Sequence, residues 1–175
     1  MIKNILITGV PRVGKTTMVK RLVEALSNYR PVGFFTNEIV EKDRVGFELV
    51  SLEGQRKILS HVNIRSRFRV GRYFVDVDGF EDFLRSIDFG DSPLVVIDEI
   101  AKMECFSETF INLISALLDS DRIVLATVAL QGKGFLKEVK ERDDVKIFRM
   151  DLANRDKIFT DILSDLRHLI QKRLS

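Results

Sequence analysis

A single cysteine, Cys105, leaves no internal disulfide and no cysteine zinc cluster, and two histidines, His61 and His168, are too few for a histidine-rich metal site. Proline is scarce, at three residues, yet no segment is compositionally disordered. No apolar run reaches the ~18 residues that a membrane span needs. No secretory signal is legible either, because Lys3 and Asn4 interrupt the short apolar start and no small-residue cleavage site follows. Charge of one sign is missing too: 28 basic and 26 acidic residues leave a net +2, which gives no support to a large nucleic-acid surface. These absences lead us to expect a reduced, cytoplasmic protein, off the membrane and with no obligate protein partner.

What is there suits a packed core. Hydrophobic residues make up 45% of the 175, enough for one domain over 1–175, or a core with a small insertion. The most informative stretch is Gly9-Val10-Pro11-Arg12-Val13-Gly14-Lys15-Thr16-Thr17. It follows the apolar run Ile5-Leu6-Ile7 and precedes a helical pattern, the strand, glycine-rich loop and Lys-Thr-helix order of a phosphate-binding P-loop. Backbone N–H groups from Gly9 to Thr17 would cradle a polyphosphate, with the helix N-terminus adding donors. Lys15 would reach the β- and γ-phosphates, and Thr16 would offer its hydroxyl to Mg2+. A nucleoside triphosphate is the expected ligand.

The rest of the chain supplies an α/β frame. A strand is expected over residues 2–8, a helix over 15–29 and a strand over 32–40. From about 33 to 76, short Val-, Phe- and Leu-rich segments alternate with turn signals, which reads as antiparallel material added to a mostly parallel sheet. Helices follow over 78–87, with Asp78 as a candidate cap, and over 107–118, 134–140 and 155–169. Further strands are expected over 94–97, 122–128 and 145–148. The whole reads as a P-loop, three-layer α/β sandwich.

Asp98-Glu99 closes the apolar run Leu94 to Ile97, so Asp98 falls at the carboxyl end of a central strand, where open α/β sheets bind ligands. Asp98 is the expected Mg2+-side carboxylate, acting through a bound water, and Glu99 the group that orients or deprotonates an attacking water. Charge on the transferred phosphoryl group calls for arginine; Arg12, Arg65, Arg67 and Arg142 are the candidates. Thr127, at the end of another strand, is either a γ-phosphate sensor or a satisfied strand-end hydroxyl.

These residues, together with Gly33 to Glu38, Arg44 to Phe47, Gly71 to Val75, Val96 to Glu104, Leu125 to Val128, Gly132 to Gly134, Arg142 and Asn154 to Asp156, resemble the P-loop nucleoside-triphosphatases first described from thermophiles. The resemblance covers nearly the whole chain, and the run Asp98-Glu99-Ile100-Ala101-Lys102-Met103-Glu104 is its most specific part. It implies a RecA-like or kinase-like core and slow, Mg2+-dependent hydrolysis of ATP, GTP, CTP and UTP to the diphosphate and phosphate. The roles of Lys15, Thr16, Asp98 and Glu99 carry over. The chain departs from the pattern at Arg12 and Ala101, where glycine is usual. Two alternatives stand beside hydrolysis. One is a nucleotide or small-molecule kinase; the other is a nucleotide-dependent nucleic-acid-binding switch, supported only by the basic stretch from Arg65 to Arg72.

Overall fold

The computed structural model describes every residue from Met1 to Ser175. β1 (Asn4–Thr8) leads through the glycine-rich loop into α1 (Lys15–Ala25), and a short 3-10 turn, Ser27–Tyr29, ends that excursion. β2 (Val32–Val40), β3 (Arg44–Ser51), β4 (Arg56–His61), β5 (Arg69–Val70) and β6 (Tyr73–Val75) follow, then α2 (Val77–Ser86). The remainder alternates: β7 (Leu94–Ile100), α3 (Glu108–Asp119), β8 (Ile123–Val128), α4 (Phe135–Lys140), β9 (Val145–Arg149) and α5 (Arg155–Leu174).

All nine strands form one sheet in the order β5-β6-β4-β3-β2-β7-β8-β1-β9. The run β2-β7-β8-β1-β9 is parallel. The strands beyond β2 pair antiparallel and extend the same sheet. β2 belongs to both regimes: Val32 to Phe34 pair with β7, while Phe34 to Val40 pair with β3. The antiparallel addition therefore begins at β3, and β2 is shared with the parallel core.

Alternation along the buried strands sorts the core into two layers. Leu94 and Val96 of β7, Ile5 and Ile7 of β1, and Leu125 of β8 pack with α1 and α5 on one face. Val95, Ile97, Leu6, Val124 and Ala126 pack with α2, α3 and α4 on the other. Both faces are covered, which is why β1, β7 and β8 read as continuous apolar runs and not as alternating ones. The layers make the expected three-layer sandwich.

Three local expectations shift. α2 is capped by Asp76, whose carboxylate accepts from the Gly79 N–H at 3.0 Å, so Asp78 lies inside the first turn. α1 stops at Ala25, where the chain tightens into the 3-10 turn. α5 runs on to Leu174, because its buried stripe Ile158, Ile162, Leu166 continues at Ile170.

Candidate active site

The carboxyl ends of β1, β7 and β8 meet at a cavity of about 890 Å3. The glycine-rich loop forms its floor. Gly14 caps α1 at φ 102°, in the left-handed region that glycine enters without steric cost. Arg12 also sits there, at φ 64°. A residue with a Cβ pays roughly 1–2 kcal/mol for that conformation, which is the physical reason for expecting glycine at this place. No side chain caps α1, so its first-turn N–H groups are left for an anionic ligand. The Lys15 ammonium folds over the loop and donates to the carbonyls of Gly9 at 3.0 Å and Val10 at 3.2 Å.

Asp98 is the anchor. It is 1% exposed, and one carboxylate oxygen accepts from the Thr16 hydroxyl at 2.7 Å and from the Thr36 N–H at 3.4 Å. The other oxygen accepts from the Thr127 hydroxyl at 2.6 Å. Burial pushes the Asp98 carboxyl above its ordinary range, while these bonds and the Lys15 charge pull it back. Thr36 doubles the tie by donating its hydroxyl to the Asp98 carbonyl. Thr16 spends its proton on Asp98, which leaves its oxygen lone pairs free for a cation.

Glu99 is half-buried beside Asp98. Burial, then the Asp98 charge, raises its pKa; Lys15 opposes, and no hydrogen bond holds the carboxylate. Behind it lies Glu104, 3% exposed, whose Oε2 accepts from the Ala101 N–H at 3.2 Å. Burial, with the neighbouring Glu99 charge second, pushes the Glu104 carboxyl up to about 8. Cys105, next along the chain, is pushed up to about 12, mainly by burial, and is an inert thiol at neutral pH.

Three of the four expected arginines fall away from the cavity. Arg12 lines the cavity and lies 3.7 Å from Glu38. Arg44, missed in the sequence reading, lines it too. Its guanidinium meets Glu38 at 2.7 Å and donates to the Tyr73 hydroxyl at 2.9 Å; these two bonds, Tyr73 first, hold its pKa up. Arg65 and Arg67 are exposed and line no part of the cavity; Arg67 lies 4.8 Å from the centre of the Phe68 ring. Arg142 is at the wrong end of the sheet. It pairs with Asp119 at 2.8 Å and Asp144 at 2.8 Å, beside Asn4 at the start of β1. Of the two readings of Thr127, the geometry is that of the satisfied strand-end hydroxyl: it is wholly buried and its one proton goes to Asp98, so none is left for a phosphate oxygen.

Beyond Arg44, the sequence reading passed over Thr36 and Glu38. All three lie in stretches quoted for the resemblance, which was the available signal.

The comparisons point one way. A family model described as NTPase matches residues 4–163. The nucleoside-triphosphatase THEP1 of Thermotoga maritima is 38% identical over 168 residues, covering 94% of this chain and 95% of that protein. The human cancer-related nucleoside-triphosphatase is 37% identical over 183 residues, covering 94% and 96%. Among solved structures, the crystal structure of THEP1 from Aquifex aeolicus superposes with a TM-score of 0.83 at 36% identity, covering 93% of this chain and 98% of that one. The solution structure of the human protein gives 0.80 at 35% identity, covering 95% and 98%.

Proposed function

We propose, for a chain that belongs to the NTPase family and hydrolyses nucleoside triphosphates, that the reaction is Mg2+-dependent, broad in base and slow, with Glu99 as the general base. The observation that carries this reading is the Thr16–Asp98 hydrogen bond at the mouth of the loop, with the unbonded carboxylate of Glu99 beside it.

The donor set fits magnesium. One hydroxyl and one carboxylate face the loop, and no cluster of three His, Cys, Asp or Glu ligands stands anywhere in the chain. That spare arrangement suits an ion that keeps most of its waters and takes substrate phosphates as ligands. Mg2+ bound there would neutralise charge on the β- and γ-phosphates. The loop amides and Lys15 hold those phosphates, Lys15 leaving the carbonyls of Gly9 and Val10 to do so. Asp98, fixed by three donors, holds Thr16 in place. Glu99 takes the proton of the attacking water, and its raised pKa makes it a better acceptor than an ordinary carboxylate.

Slow turnover follows from Glu38. It pairs with both Arg12 and Arg44, so neither guanidinium meets the γ-phosphate until that carboxylate gives way. Base breadth follows from the cavity's outer wall, where Lys20 and Gln131 are exposed and offer no buried polar pair to reject a wrong base. The lone cysteine suits a reducing compartment, and we place the enzyme in the cytoplasm on that ground. No helix is long and apolar enough to cross a membrane.

The test is phosphate release from ATP, GTP, CTP and UTP with and without Mg2+, for the intact protein and for Glu99→Gln. Loss of a general base should lower kcat by about 10²–10⁴ while nucleotide Kd stays put. Full turnover in Glu99→Gln would overturn the assignment.

A further inference from the structure

Glu99 faces two cavities. Past it, the nucleotide cavity opens into a second one of about 700 Å3, and the two share Thr36, Phe47, Glu99, Ala129 and Gln131. They differ in character. Only 3 of the 19 residues around the first are hydrophobic, against 9 of the 16 around the second, so the second was not built for phosphates. Its apolar wall comes from Met103 and Cys105 after β7, Ile111 of α3, Phe135 and Leu136 of α4, and Val70 of β5.

A hydrolase needs room for one water beside its base. A cavity of small-molecule size with an apolar wall adds nothing to that task, and water inside it finds few partners. The charges narrow the occupant. No arginine lines this cavity; its two lysines, Lys102 and Lys133, are exposed, whereas Glu104 is buried among its lining residues. A nucleoside monophosphate would bring a second anion toward the Glu99 carboxylate with no buried cation to meet it.

We propose that the second cavity is an acceptor site for an uncharged alcohol with an apolar body, a short alkyl chain or a single aromatic ring, whose hydroxyl lies at Glu99 and takes the γ-phosphoryl group in place of water. The proposal rests on Glu99 acting as the base. The alcohol oxygen forms a bond to the γ-phosphorus as the bond to the β,γ-bridging oxygen breaks. The hydroxyl proton passes to the Glu99 carboxylate, and the bridging oxygen leaves with its electron pair on the nucleoside diphosphate. The products are a phosphate monoester and the diphosphate. Binding of the apolar body excludes water from the second cavity, so a filled site favours transfer over hydrolysis.

The four methionines make the test direct. Met103 lines the second cavity, and the Met150 methyl carbon lies 3.6 Å from where a Cβ on Gly14 would stand, beside the phosphate loop. With methyl-labelled methionine, benzyl alcohol and 1-hexanol should shift the Met103 signal and leave Met1 in place, whereas ADP should shift Met150. In a phosphorus NMR assay with ATP and Mg2+, benzyl or hexyl phosphate should then appear, at about tenfold the yield of methyl phosphate from methanol at equal concentration, a gap within reach of apolar burial alone. Ile111→Trp, which fills the cavity, should abolish ester formation while alcohol-free phosphate release persists. The proposal falls if Met103 does not respond to either alcohol. It also falls if phosphate release proceeds but no ester forms, or if AMP is the acceptor that wins. The Met103 shift is read without turnover, so failure of the hydrolase reading and failure of the acceptor site are separable.

Discussion

Replacing Glu104 by glutamine should make the protein more stable in mild base and flatten its response to pH. The Glu104 carboxyl is buried against Glu99 and keeps its proton up to about 8, against an ordinary value of 4.5. Between those values the folded chain holds a proton that the unfolded chain has released. Stability from this group is therefore full below the unfolded pKa and is lost as pH rises through the folded one. One such proton gives a slope of ~1.4 kcal/mol per pH unit, so the loss from about pH 6 to about pH 8 is roughly 2–3 kcal/mol, a large share of the 5–15 kcal/mol that holds a domain folded. Glu104→Gln keeps a carbonyl for the Ala101 N–H and carries no charge at any pH. Urea unfolding across that range, without nucleotide or divalent cation, should show the variant's curve flatter by about one proton and crossing above the parent in mild base. Parallel curves would refute the reasoning, because they would mean that Glu104 ionises in the fold as freely as it does in water.

Thr127→Val should lower stability by roughly 1–3 kcal/mol, because it strips a 2.6 Å donor from buried Asp98, and Thr127→Ser should restore it; chemical denaturation of both reads the difference. Arg44→Ala should cut kcat by about tenfold or more with little change in nucleotide Kd, whereas Arg142→Ala should leave kcat alone and lower Tm by breaking its pairs with Asp119 and Asp144. Gly33→Ala should fail to fold, since Gly33 sits at φ 131° and a Cβ there would lie 1.9 Å from the Val96 carbonyl oxygen in the adjacent strand. Soluble expression and a thermal melt check it.

The phosphate loop was legible because strand, turn and helix lie within a few residues, so local spacing carries the geometry. Asp98 was legible as the end of an apolar run. Its partners were not, for Thr36 and Thr127 reach it from β2 and β8, 62 and 29 positions away. Sheet order decides that meeting, and no local pattern encodes it. Arg142 was misplaced for a reason the sequence could have supplied. It precedes a strand, β9, that runs parallel to β1, and a segment leading into a parallel strand lies at the end opposite the glycine-rich loop. Arg44 opens the second strand of a hairpin, and only the side-to-side pairing of β2 with β3 brings it over Glu38.

The pairing of β1 sets an order of events during synthesis. Its only neighbours are β8 and β9, with Ile5 opposite Leu125 and Asn4 opposite Val145. The strand that launches the phosphate loop leaves the ribosome before either of its partners, and both of its hydrogen-bonding edges lie more than a hundred residues behind it. Until residue 128 has emerged β1 has no strand to pair with, and its second edge stays open until residue 149. A nascent chain that stops short of β8 therefore carries the glycine-rich loop and cannot use it, and the enzyme becomes competent only when β8 and β9 close the sheet around β1.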